Sequence, residues 1–114
     1  MEKRAMGKFL KGSAQKARLV VDQIRGLSVE EALGLLRFSK KRAADRVEKV
    51  LKSAIANAEY ADKNVSLDEL FVSRAYVDMG PTKFRRRLRP APMGRAYRER
   101  RHGCHITIHV SDNR

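Results

Sequence analysis

The chain has 114 residues, 26 Lys and Arg against 13 Asp and Glu, and a formal charge of +13. That length suits one domain with a modest core, a 42% apolar share argues against disorder, and the single cysteine excludes an intrachain disulfide framework. No apolar run nears the ~20 residues a bilayer crossing needs, and Met1-Glu2-Lys3-Arg4 leads into no apolar stretch, so neither membrane nor secretory leader is expected. A reducing compartment and a polyanionic partner are the expectation.

In chain order, residues 2–11 predict an edge strand. Ser13 is placed to cap a first helix, whose Ala17, Val20, Val21 and Ile24 fall at helical spacing and which Gly26 ends. Lys16 and Arg18 lie off that apolar stripe, facing solvent or a partner. Ser28-Val29-Glu30-Glu31 fits a capping box opening a second helix, with Ala32, Leu33, Leu35 and Leu36 as its buried face and Phe38-Ser39 as its end. A third helix is predicted from about Ser39 to about Ala61 on the stripe Ala43, Val47, Val50, Leu51, Ala54, Ile55 and Ala58. Asp45–Lys49 and Glu48–Lys52 stand acid before base along it.

Residues 69–78 then alternate, with Phe71, Ala75 and Val77 on one face and Leu70, Val72 and Tyr76 on the other. Residues 104–110 alternate more cleanly: Cys104, Ile106, Ile108 and Val110 toward the helices, His105, Thr107 and His109 away. If these two strands pair antiparallel, residues 78–103 must run out and return as a β-hairpin arm with its apex near Pro90-Ala91-Pro92-Met93-Gly94. At ~3.3 Å per residue the arm reaches roughly 40 Å, beyond a body of radius of gyration near 13 Å. The fold expected is α+β: three helices packed on a small antiparallel sheet, one domain over 1–114, with a long protruding hairpin arm over 78–103.

The arm holds most of the charge. Residues 81–102 carry Lys83, Arg85, Arg86, Arg87, Arg89, Arg95, Arg98, Arg100 and Arg101 against Glu99 alone, nine minus one or +8, leaving +5 for the rest. Arg pairs phosphate bidentately and stacks on bases, as Lys cannot. Arg85, Arg86 and Arg87 are consecutive, so on a strand they alternate faces and reach different nucleic-acid segments. Phe84 and Tyr97 can stack on unpaired bases. Arg89 and Arg95 flank the apex, which Pro90 and Pro92 stiffen. Arg98, Arg100, Arg101 and His102 complete the return limb.

Rival readings exist. A basic ribbon with proline near its tip also suits a DNA-binding architectural protein. His102, His105, His109 and Glu99 raise the thought of acid-base chemistry or a metal, but His105 and His109 are ~13 Å apart along a strand and no second ligand cluster exists. Cys104 reads as a small buried hydrophobe. No enzyme, metal or cofactor is expected.

The chain also resembles the large-subunit ribosomal protein twenty-two family in its bacterial form. The resemblance lies in residues 12–21 (Gly-Ser-Ala-Gln-Lys-Ala-Arg-Leu-Val-Val), residues 22–26 (Asp-Gln-Ile-Arg-Gly) and residues 50–59 (Val-Leu-Lys-Ser-Ala-Ile-Ala-Asn-Ala-Glu). It continues in Gly80-Pro81, Gly94-Arg95-Ala96 and His105-Ile106-Thr107-Ile108. The resemblance implies a structural constituent of the large ribosomal subunit, in the cytoplasm or an organelle. Its body would lie near the peptide exit, and its hairpin would thread between ribosomal RNA segments and join RNA domains in assembly. It implies RNA contacts at Ser13, Gln15, Lys16 and Arg18, and a tip of Arg89, Pro90, Ala91, Pro92, Met93 and Gly94 lining the nascent-peptide exit tunnel. The implied partners are large-subunit ribosomal RNA, neighbouring ribosomal proteins and the passing nascent peptide, with no homo-oligomer. This chain departs from the family at the tip, where Ala91-Pro92-Met93 precedes Gly94, and at Ala14-Gln15, where the family often has Pro-Arg.

Overall fold

A computed structural model describes residues 2–80, 86–90, 92–94, 96–100 and 103–112, with the arm strands described by their backbone. The elements are β1 (Glu2–Lys11), α1 (Ala14–Ile24), α2 (Val29–Phe38), α3 (Ala43–Ala61), β2 (Phe71–Met79), β3 (Arg86–Pro90), β4 (Ala96–Arg100) and β5 (Gly103–Ser111). Short 3-10 turns at Leu67–Glu69 and Pro92–Gly94 precede β2 and β4. The last strand is the central one: β5 lies between β1 and β2, antiparallel to both. The architecture is thus α+β, three helices on a small antiparallel sheet.

The core forms where the helical stripes meet the inward side of β5. Cys104, Ile106, Ile108 and Val110 are buried there as the alternation predicts, against Val20, Val21 and Ile24 of α1 and Val47, Leu51 and Ala54 of α3. Burying each large aliphatic side chain contributes roughly 1.5–3 kcal/mol. Gly26 turns the chain out of α1 at φ +83°, a conformation that costs glycine little. The linker after it then runs beside β2: the Val29 amide donates to the Leu70 carbonyl at 3.1 Å and Val72 to Leu27 at 2.9 Å.

Several local expectations change. Ser13 stands at the N-cap of α1, but its hydroxyl makes no capping bond; its carbonyl, not its side chain, starts the helix by accepting from Ala17. In α2 the Ser28 hydroxyl accepts the Glu31 amide at 3.4 Å, while the reciprocal Glu31 carboxylate bond is not formed. That ten-residue helix buries only Val29, Ala32 and Leu36, so Leu35 is exposed and Leu33 half-buried: the body covers one narrow stripe. In α3 the start moves from Ser39 to Ala43, because the Ser39 hydroxyl takes the Lys41 amide in a local turn, and Ala44 rather than Ala43 is buried. Of its two charge pairs, Lys52–Glu48 forms at 3.2 Å and Asp45–Lys49 does not.

The largest change is in β2. Its register slips between Val72, opposite Val110, and Arg74, opposite His109, leaving Ser73 as an extra residue. This bulge turns Val72 to the same side as Ala75 and Val77, and all three are buried. The two half-apolar faces read from strict alternation are therefore one core face, with Arg74, Tyr76 and Asp78 on the other.

Both sheet edges are covered by helix side chains. From α1, Arg18 donates Nε and Nη2 to the Val77 carbonyl at 3.2 and 3.1 Å. Arg25, just past that helix, gives the same two groups to the Ala75 carbonyl at 3.1 and 2.6 Å. On the opposite edge, Asn57 of α3 donates to the Arg4 carbonyl of β1 at 2.9 Å. Unpaired edge carbonyls invite another strand, and these caps close them.

Candidate nucleic-acid interface

The basic segment grows out of the sheet. Met79 of β2 stands opposite Cys104 of β5, and one residue further the Gly80 amide donates to the Gly103 carbonyl at 2.9 Å. A Cβ on Gly80 would stand 3.0 Å from the Gly103 carbonyl carbon, so any side chain there would push the two backbones apart by a few tenths of an ångström. Beyond this root, β3 pairs antiparallel with β4 from Arg86 opposite Arg100 to Pro90 opposite Ala96. The Pro92–Gly94 turn joins them, with Met93 and Gly94 both left-handed (φ 62° and 74°) and Met93 almost fully exposed.

Of the arm positions singled out by sequence, Arg86, Arg87, Arg89 and Pro90 fall on β3, and Tyr97, Arg98 and Arg100 on β4. Pro92, Met93 and Gly94 form the turn. Lys83, Phe84, Arg85, Ala91, Arg95, Arg101 and His102 lie outside the described residues. Among the paired positions, five Arg stand with one Glu, and Arg86 faces Arg100 directly. Like charges opposite one another weaken a two-stranded ribbon. An anion on both sides would remove that penalty.

On the body, Gln15 and Lys16 are exposed on the first turn of α1, beside Ser13. Arg18 is exposed as expected, and its Nε and Nη2 also hold the Val77 carbonyl. Lys16 does not stand alone. It shares a cleft of about 240 Å³ with Lys11, Arg42 and Arg46, and Cys104 forms part of its wall. These cations ring the arm's root, and sequence reading passed over three of them. Part of the signal was present in Lys40-Lys41-Arg42 before α3, but only the fold brings Arg42 to the foot of the arm.

The remaining chemistry-bearing groups have structural partners. His105 Nδ1 accepts the Phe9 amide at 3.0 Å, and His109 Nδ1 lies 3.3 Å from a Glu2 carboxylate oxygen. Burial pushes the Cys104 thiol up from its ordinary value, with nearby Arg46 opposing. Among the described residues no group of His, Cys, Asp and Glu converges as a metal site, and no helix is long and apolar enough to cross a membrane.

An α+β body carrying a basic two-stranded ribbon, with further cations at its root, defines a protein built to meet a polyanion. The family described as Ribosomal protein L22p/L17e matches residues 5–111, and the chain belongs to that family. It is 53% identical over 112 residues to the large ribosomal subunit protein uL22 of Solibacter usitatus (strain Ellin6076), a match spanning 98% of this chain and 97% of that protein. It is thus a ribosomal protein of the large subunit, a component of the translating ribonucleoprotein, in a structural family rather than an enzymatic one.

Proposed function

We propose that this chain binds large-subunit ribosomal RNA chiefly through the arm over 78–103, carried by a single domain over 1–114. The arm joins RNA segments during assembly, and its tip from Arg89 to Gly94 forms part of the wall of the nascent-peptide exit tunnel. The observation that carries the reading is the Arg-rich ribbon of β3 and β4, together with the root at Gly80 and Gly103 where β2 and the central strand meet. A rigid root aims it, and Lys11, Lys16, Arg42 and Arg46 extend its field onto the body. Phosphate contacts fix position along the RNA, and the shape of the cleft entered supplies most of the specificity. Ser13, Gln15 and Lys16 add contacts at the body, and Arg18 contributes with the Nη1 side left over from its bond to Val77.

Ultraviolet crosslinking in cells, with sequencing of the attached RNA and mapping of crosslinked peptides, tests this. Crosslinks from 83–101 to large-subunit ribosomal RNA are expected. Crosslinks spread over unrelated RNAs, or enrichment of DNA in a parallel formaldehyde pull-down, would refute it in favour of a DNA-binding architectural role.

A further inference from the structure

The helices pack on one side of the β1–β5–β2 sheet, and among the described residues no element covers the other side. The register assembles three cross-strand rows there. Arg4, His109 and Arg74 form one end, and Met6, Thr107 and Tyr76 the middle. Phe9 against His105 forms the other end, where β1 bulges between Gly7 and Leu10. Phe9 is 66% exposed, Met6 42% and Tyr76 39%, a run of large apolar groups on a sheet that is otherwise well buried.

The two rings are held in place. Phe9 adopts φ +57°, an uncommon conformation for a bulky residue, and its amide is fixed by His105 Nδ1. Its ring meets that imidazole edge-on, centroids 5.0 Å apart at 90°. The Tyr76 ring lies 6.0 Å from that of His109, tilted by 34°. Between them, Thr107 is fully buried, and its hydroxyl oxygen is the one buried side-chain polar atom without a partner among the described residues. A backbone strain maintained by a side-chain bond, beside an unsatisfied hydroxyl, is characteristic of a surface shaped for something else.

Side-chain chemistry indicates what that is. The register puts Arg4 and Arg74 on this face, one on each edge strand, with Glu2, 3.3 Å from His109, and Asp78. Exposed rings on a sheet, flanked by Arg, match unpaired bases and their phosphates: bases stack on the rings, and the cations track the backbone. We propose that this open sheet face is a second RNA-contact surface, independent of the arm. It takes unstacked bases on Phe9 and Tyr76 and phosphates on Arg4 and Arg74. A polar group arriving between Met6 and Tyr76 would also give Thr107 its missing hydrogen bond. The inference rests on the reading of this chain as an RNA binder, but not on the arm being the site.

The test uses the full chain with a short single-stranded oligouridine and a duplex RNA of equal length as probes. Phe9→Ala/Tyr76→Ala should weaken single-strand binding about thirtyfold or more, leave duplex binding unchanged and leave the salt slope unchanged, because stacking releases no counterions. Arg4→Ala/Arg74→Ala should reduce that slope by about 1.4. Tyr76→Phe, which keeps the ring, should bind like wild type. Urea midpoints establish that each variant is folded. Unchanged single-strand affinity in the folded Phe9/Tyr76 variant would overturn the proposal and leave the face to a protein neighbour; so would a loss in Tyr76→Phe equal to that in Tyr76→Ala. Replacing Arg85, Arg86 and Arg87 by Ala separates the two readings: loss of duplex but not single-strand binding there assigns the arm and the sheet face to different RNA elements.

Discussion

Arg25 makes two hydrogen bonds to one carbonyl and a 2.9 Å ion pair to Asp22, though about half its side chain is exposed. Its role is local: it closes the β2 edge beside Ala75. Arg25→Ala should therefore lower stability by about 1 kcal/mol, the low end for bonds to a charged group because solvent screens it. Urea unfolding should show a lower midpoint at unchanged slope. Arg25→Lys should not restore it, since an ammonium lacks the fork. Asn57, which caps the other edge, should behave alike. Sequence reading could place Arg18 off the apolar stripe, but not name its partner, because that partner is a backbone carbonyl 59 residues away. Cys104 shows the opposite case. The period of two put it in the core correctly, and its chemistry follows from burial. Because the folded thiol ionises less readily than the unfolded one, folding stability should be constant below the ordinary thiol value of 9.0 and fall as pH rises through the raised one. Cys104→Ala should flatten that alkaline decline in a series of urea titrations.

At the scale of elements, the helices were legible because three- and four-residue spacing survives small errors in where a helix begins. Strands are less forgiving, and β2 shows why. One extra residue at Ser73 changes the side to which everything before it points, and nothing in Val72-Ser73-Arg74 announces a bulge. Deleting Ser73 should be tolerated, because it makes Val72 and Arg74 neighbours on the opposite sides they already take. Deleting Ala75 instead makes Arg74 and Tyr76, which share the outer side, neighbours, so one side of the strand must invert; that variant should lose cooperative unfolding, while the Ser73 deletion should retain it. Circular dichroism melts distinguish the two. The long hairpin was legible for a different reason: two strands bracketing a basic, proline-punctuated segment leave few other paths. Which cations gather at its foot was not legible, since Lys11, Lys16, Arg42 and Arg46 come from three separate stretches.

The whole molecule measures 65 × 25 × 17 Å with a radius of gyration of 17.2 Å. A compact chain of this length would be near 13 Å. Residues 81–102, which include the β3–β4 ribbon, carry +8 of the +13. Binding to ribosomal RNA should therefore weaken steeply with salt, and Arg85→Ala/Arg86→Ala/Arg87→Ala should flatten the dependence by about two units in a plot of log affinity against log salt. An unchanged slope would mean these three neutralise no phosphate.

The position of β5 has a consequence for how such a molecule comes into being. β1 and β2 do not pair with each other; each has only the final strand as its sheet partner, and the Ser73 hydroxyl reaches across, donating to Glu2 Oε1 at 3.2 Å. During synthesis the helices can gather early, but the sheet stays open until residues 103–111 arrive, after the arm has already been made. Closing the sheet and clamping the arm's root at Gly80 and Gly103 are consequently one event. Until then the basic segment is an unconstrained chain rather than an aimed ribbon, able to meet RNA before the body that will hold it is complete. Assembly with RNA and folding of the sheet can in this way proceed in either order, and each finished step shortens the search left to the other.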